Sequence, residues 1–181
     1  MGRFMNHKKW VVVLALIATA LILTHLPVSE ADAAASASDF LIEGSTLTKY
    51  RGTDERVTIP DTVEVVGESA FENNQKVQLV VVPKSVKRMD AYVFWGCDNL
   101  EEVVLGKGLT SVDEYAFSGC TGLKQITIPE NVQSIDAQAF AGCTNLTDIY
   151  IPATLTSIAD EAFLNCDNVT IHADEGSVAA K

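Results

Sequence analysis

Five phenylalanines in this chain stand one fixed step apart. Phe71, Phe94, Phe117, Phe140 and Phe163 recur every 23 residues. The same step links Pro60, Pro83, Gly106, Pro129 and Pro152, and it links Cys97, Cys120, Cys143 and Cys166. Three residue types keeping one period make a repeat array the only economical reading. A unit this short cannot bury its own apolar face, so each copy must stack on its neighbours and share a continuous core.

Within each period an L-x-x-L-x-L core is legible. Leu123, Ile126 and Ile128 carry it, as do Leu100, Val103 and Leu105, and Leu146, Ile149 and Ile151. With a period between roughly 20 and 29 residues, that core marks a leucine-rich solenoid. Each coil is expected to open with a strand, over 57–59, 80–82, 103–105, 126–128 and 149–151. The flanking residues point inward and the middle one outward. A second apolar set, Val132, Ile135, Ala139, Phe140 and Cys143 in one copy, suits a short helical or irregular return on the convex side. Asn99, Gly122, Asn145 and Asn168 precede the turn back into the strand and are expected to use left-handed backbone angles there. The fold class is thus an α/β solenoid: a leucine-rich-repeat right-handed superhelix of about five 23-residue coils, with a parallel concave sheet and an N-terminal β-hairpin cap.

The ends fall outside the period. Arg3, Lys8 and Lys9 precede an apolar run over 10–23, and Ala31, Ala33, Ala35 and Ala37 offer two A-x-A cleavage sites. This pattern reads as a secretory signal peptide over 1–33; the alternative is an uncleaved signal anchor. Residues 34–56 read as a linker and a hairpin cap, with Phe40, Leu41 or Ile42, Leu47 and Tyr50 covering the open end of the first coil. Five repeats occupy 57–171, and 172–181 form a C-terminal cap or tail.

The repeat resembles a known family. Ile128, Pro129, Val132, Ile135, Ala139, Phe140, Cys143 and Leu146 reproduce the pattern of the 23-residue bacterial class of leucine-rich repeats, the BspA-like surface proteins. The resemblance covers about residues 39–177. Asn74 in place of the first Cys, Gly106 in place of one Pro and Val93 in place of one Ala depart from it. It implies a cell-surface or secreted protein, in some members an adhesin for host proteins or other cells.

Composition narrows the chemistry. The net charge is −11, and removing 1–33 takes three of 13 basic and two of 24 acidic residues, leaving −12. An acidic chain lacks the Lys/Arg surplus that binding to nucleic acid or anionic membranes needs. Of three histidines, His7 and His25 fall in the leader, leaving His172. No G-x-S-x-G, P-loop or H-E-x-x-H motif occurs, and the neighbouring carboxylates Asp113 and Glu114 read as solvated loop residues. The four cysteines share one repeat position and read as buried thiols rather than disulfides. No enzyme, cofactor or metal is expected.

What varies between coils is the outward face of the strands. Thr58, Val81, Val104, Thr127 and Tyr150 form one column; Arg56, Leu79, Glu102, Gln125 and Asp148 form the next. A solenoid presents such a face as an extended binding surface. The expected function is an exported protein-binding or adhesion module, secreted or at the cell surface, whose partner is an extracellular or cell-surface protein of a host or neighbouring cell. It would meet a membrane only through an uncleaved leader. The alternatives are an accessory solenoid without a specific ligand and, last, an extracellular hydrolase. Lys84 and Lys107, with Lys87 and Arg88 nearby, stack on one flank and read as a solvated edge, with a small basic spot as the alternative.

Overall fold

The computed structural model describes Trp10–Val12 and residues 35–173. Most of the expected leader lies outside the described residues, as does the tail beyond 173. Strands are numbered in chain order. A first sheet, in two ladders, is built from β4 (Arg56–Thr58), β6 (Leu79–Val81) and β8 (Glu102–Val104), and then from β10 (Gln125–Thr127), β12 (Asp148–Ile151) and β14 (Thr170–Ala173). A second is built from β5 (Val65–Val66), β7 (Arg88–Met89), β9 (Ser111–Val112), β11 (Ser134–Ile135) and β13 (Ser157–Ile158). All pairings within the repeats are parallel. β1 (Trp10–Val12) pairs in parallel with β14.

No α-helix occurs among the described residues. The helical option for the return segment is therefore corrected, and with it the α of the expected α/β class. The 3, 4, 1, 3 apolar spacing comes from a two-residue strand followed by successive tight turns. In one copy Val132, Ala139, Cys143 and Leu146 each donate a backbone N–H to the carbonyl three residues back, at 3.1–3.3 Å. Each bond closes a turn and none propagates into a helix.

These turns form a third face with its own ladder. The Phe71 N–H donates to the Val93 carbonyl at 2.9 Å. Phe94, Phe117 and Phe140 donate likewise to Ala116, Ala139 and Ala162 at 2.8 Å. Reaching this geometry takes two left-handed residues per coil. One column is Ser69, Tyr92, Tyr115, Gln138 and Glu161, with φ of 55–62°; the other is Asn73, Gly96, Gly119, Gly142 and Asn165. Left-handed backbone costs an L-residue roughly 1–2 kcal/mol; Ser69, Tyr92 and Tyr115 are held in it by a backbone N–H donated to the next coil, at 3.1–3.2 Å. The expectation for Asn99, Gly122, Asn145 and Asn168 is corrected here: none of them has positive φ. Asn99 and Asn145 instead reach across, each side-chain Nδ2 donating at 2.8 Å to the Gln75 or Thr121 carbonyl of the preceding coil.

The three faces enclose a core of stacked like residues. Phe71, Phe94, Phe117 and Phe140 are fully buried, with neighbouring ring centroids 5.0–5.4 Å apart through to Phe163. The cap extends the same column. β2 (Phe40–Glu43) and β3 (Thr46–Tyr50) form the expected antiparallel hairpin, and β3 pairs in parallel with β5. Tyr50 stacks on Phe71 at 5.0 Å and Phe40 packs on Tyr50 at 5.1 Å. Phe40, Leu47 and Tyr50 are buried as expected; Ile42 packs against the core, while Leu41 stays exposed. At the other end, Val169, Ile171 and Ala173 are buried, so the last apolar strand runs on past residue 171.

Phe117 has a stacked ring on each side and no route for collapse. Phe117→Ala should destabilise the fold by about 3–5 kcal/mol. Urea unfolding checks this, and an unchanged midpoint would show that the stack carries little of the stability.

Candidate functional site

The register of the first sheet sets its outward residues side by side. Arg56 pairs with Leu79 and Leu79 with Glu102; Thr58 pairs with Val81 and Val81 with Val104. Further along, Gln125 pairs with Asp148 and Thr127 with Tyr150. All ten expected residues therefore lie on this sheet in the two expected columns. Leu79, Val81, Glu102, Val104, Gln125, Asp148 and Tyr150 are half-buried, and Arg56, Thr58 and Thr127 are exposed. Leu79, Val81 and Val104 make one contiguous apolar patch.

The columns do not end at Tyr150. Asp148 pairs with Thr170 and Tyr150 with His172. Sequence reasoning missed both residues because the last coil is one residue short: Asp148 to Thr170 and Tyr150 to His172 are steps of 22 residues, and a step of 23 points to Ile171 and Ala173 instead. The signal was the alternation Val169, Ile171, Ala173, which leaves Thr170 and His172 facing out.

His172 closes a small constellation with two expected residues. Its Nε2 lies 2.7 Å from Asp148 Oδ1, and its ring stacks on Tyr150 with centroids 4.5 Å apart and planes 12° from parallel. The Thr147 hydroxyl lies 2.8 Å from Asp148 Oδ2 and 3.1 Å from the Lys124 carbonyl oxygen, two acceptors for one proton. The hydrogen bond with His172 comes first among the causes that hold the Asp148 carboxyl below its ordinary range. Asp and His together resemble half of a hydrolytic triad. Of the hydroxyls in this constellation, however, Tyr150 offers its ring face and Thr147 lies on the carboxylate. The constellation is built as a rigid aromatic platform with a charged edge.

Other candidate chemistry is spent on structure. The Ser111 hydroxyl donates to Asp113 Oδ1 at 2.6 Å, and burial raises the Asp113 carboxyl. Cys97, Cys120 and Cys143 each donate a thiol proton at 3.1 Å to the carbonyl of Phe71, Phe94 and Phe117, and Cys166 donates to Phe140 at 2.9 Å. All four are buried thiols, as expected. Burial pushes the Cys97 thiol up to about 12 and the Cys120 thiol well above its usual value. At Cys143 a hydrogen bond with Cys166, and then burial, act in the same direction. Among the described residues no group of three His, Cys, Asp or Glu could hold a metal ion.

Two outcomes follow. In His172→Ala, the Asp148 carboxyl should titrate at higher pH, read by carboxyl ¹³C shifts; an unmoved titration would dissolve the pair. The thiols keep their protons in the fold to pH values at which unfolded thiols, near pKa 8.5, have lost them. The stability they add is whole below about pH 8.5 and falls as pH rises toward 12. At pH 9 the denatured chain should take up four equivalents of a thiol reagent, while the native chain reacts slowly; rapid native uptake would place the thiols at the surface.

Comparison with known proteins agrees with this geometry. The family model described as the BspA type leucine rich repeat region matches residues 49–170 in six copies. It begins inside the cap, whose stacking on the first coil adds a turn to the five expected. A leucine rich cell surface protein from Faecalibacterium prausnitzii superposes with a TM-score of 0.71 and 32% identity, over 75% of this chain and 36% of that one. The leucine rich repeat protein of T. pallidum gives 0.72 and 26%, over 76% and 69%. A leucine-rich repeat protein from Bacteroides ovatus gives 0.63 and 28%, over 75% and 41%. The chain thus spans about a third of the F. prausnitzii structure. No curated protein matches significantly. With its period, its buried Phe and Cys columns and six matched copies, this chain belongs to the BspA-type leucine-rich-repeat family.

Proposed function

We propose that this protein is an exported, non-catalytic module that binds an extracellular or cell-surface protein through the outward face of its first sheet. One observation carries the reading. The inward strand positions are buried and apolar in every coil, from Val57 and Ile59 to Ile149 and Ile151, and hold the coils together. The outward positions change from coil to coil, from Arg56 and Thr58 through Leu79, Val81 and Val104 to Tyr150 and His172. A surface that is regular in backbone and irregular in side chain is what an extended recognition face requires. The apolar patch around Val81 supplies area to desolvate, and the Tyr150–His172 stack supplies a rigid aromatic anchor. Export rests on the basic and apolar leader pattern, and the description of the F. prausnitzii relative as a cell surface protein fits it.

The test is cross-linking capture from extracellular and cell-surface extracts with the secreted form of the chain, followed by variants. Tyr150→Ala should weaken binding of the captured protein by about 2 kcal/mol or more, as at a hot spot. Val104→Asp should do likewise by placing an unpaired charge in the contact. Glu114→Ala, in the turn face, should leave binding unchanged. Melting temperatures of all three separate lost binding from lost fold. Unchanged binding in both sheet variants would favour an accessory solenoid whose sheet has no specific ligand.

A further inference from the structure

The five turn segments, 67–74, 90–97, 113–120, 136–143 and 159–166, carry eight Asp and Glu residues and no Lys or Arg. In two neighbouring coils this face also carries aromatic residues that the repeat does not require. Tyr92 and Tyr115 stand where the other coils have Ser69, Gln138 and Glu161. Trp95 stands where its neighbours have Glu72 and Ser118. The backbone sets both columns in register: the Tyr92 N–H donates to the Glu114 carbonyl at 3.1 Å, and that of Gly96 donates to Ser118 at 2.9 Å. The Trp95 N–H donates back to the Tyr92 carbonyl at 3.1 Å, so both residues belong to one turn. The Tyr92 and Tyr115 rings are half-buried and stacked, with centroids 4.8 Å apart and planes 4° from parallel. Trp95 is 39% exposed, one of three exposed large hydrophobic side chains among the described residues. Tyr and Trp at a surface are what protein interfaces concentrate.

The two ends of the tyrosine stack differ. Below Tyr92, Lys49 Nζ donates to the Ser69 carbonyl at 2.8 Å. Above Tyr115, the Gln138 side chain donates to Glu161 Oε2 at 2.9 Å, toward the following coil. The upper face of Tyr115 therefore has no third ring on it. Asp113 and Glu114 lead into Tyr115, and Asp136 holds the place of Asp113 in the coil above. None of these three carboxylates has an ion-pair partner among the described residues. Burial raises the Asp113 carboxyl against its Ser111 hydrogen bond, and the like charges of Asp136 and Asp90 push it the same way. Arg88 comes last among the causes acting on it, since its Nε lies on Asp90 Oδ1 at 2.6 Å.

We infer that the Trp95–Tyr115 patch docks an arginine-bearing, extended segment of a partner protein. The aromatic side chains supply contact area, and the charge of the surrounding face selects the occupant. A guanidinium is weakly hydrated, stacks on an aromatic ring and forks onto a carboxylate. On the upper face of Tyr115 it would meet both a ring and the unpaired carboxylates of two coils. An acidic segment would meet like charge along the whole face. This patch lies away from the outward columns of the first sheet and does not rest on the reading of that face as a binding surface.

Titration of the full chain at physiological salt with a capped peptide of alternating Arg and Ser, with its Glu–Ser counterpart and with maltohexaose, tests the inference. The expected result is saturable binding of the Arg peptide that moves the Trp95 indole and Tyr115 amide resonances, with the other two probes at least tenfold weaker. Trp95→Ser and Tyr115→Ser place in these columns a residue that Ser118 and Ser69 show the repeat accepts. Each should weaken the Arg peptide about two- to fivefold, the size of an exposed cation–π contact. Glu114→Gln should weaken it as well, whereas Tyr150→Ala, on the sheet, should not. Melting temperatures separate lost binding from lost fold. No saturable binding would overturn the site, as would unchanged affinity in either aromatic variant, which would leave charge attraction alone. Maltohexaose binding as tightly would make the patch a sugar platform instead, and equal loss in Tyr150→Ala would move the peptide to the sheet; either would also overturn it.

Discussion

The backbone bond from each core phenylalanine to the coil above it is the constraint on which the structure depends. Phe71, Phe94, Phe117 and Phe140 each donate a main-chain N–H to the next coil while their rings stack in the core. Coil spacing and ring spacing are thereby fixed together. The two sheets cannot do this alone, because their ladders break, the first between β8 and β10 and the second between β7 and β9. The breaks fall at different coil junctions, and the turn-face ladder runs through both. Each weak junction is braced by the faces that remain continuous.

That arrangement explains where the cysteines sit. The Phe71, Phe94, Phe117 and Phe140 carbonyls each accept a turn N–H from the residue three positions on, at 2.9–3.2 Å. A thiol from the next coil is a second donor to each, while adding a small apolar body to the core. Asn74, the departure in the first copy, does a different job. Its Oδ1 caps the Lys76 and Val77 amides at 2.9 and 3.1 Å. A column that could have been read as two disulfides is therefore a hydrogen-bonding device.

Period, strand direction, core columns and cap were legible in the sequence because each depends on apolar residues repeating at a fixed step. The ten outward residues were legible for the same reason, since a strand that buries Val57 and Ile59 must turn Thr58 out. What was not legible depends on backbone angles and register. Tyr92 and Gln138 give no compositional hint of φ above zero, because neighbouring coils and not local preference hold them there. The Asn column hinted at left-handed turns, yet its side chains bond across coils and its backbone does not. His172 was hidden by one missing residue in the last coil, enough to shift it from an assumed tail onto the sheet beside Tyr150.

The proposed recognition surface is the outward face of the first sheet, whose side chains change from coil to coil while its backbone stays regular. Hydrogen exchange of the chain, alone and saturated with its captured partner, tests this most directly. The account predicts added protection in Leu79–Val81, Glu102–Val104, Asp148–Ile151 and Thr170–Ala173, with the turns around Tyr92, Tyr115 and Gln138 unchanged. Protection confined to those turns, with the sheet strands unaffected, would contradict it.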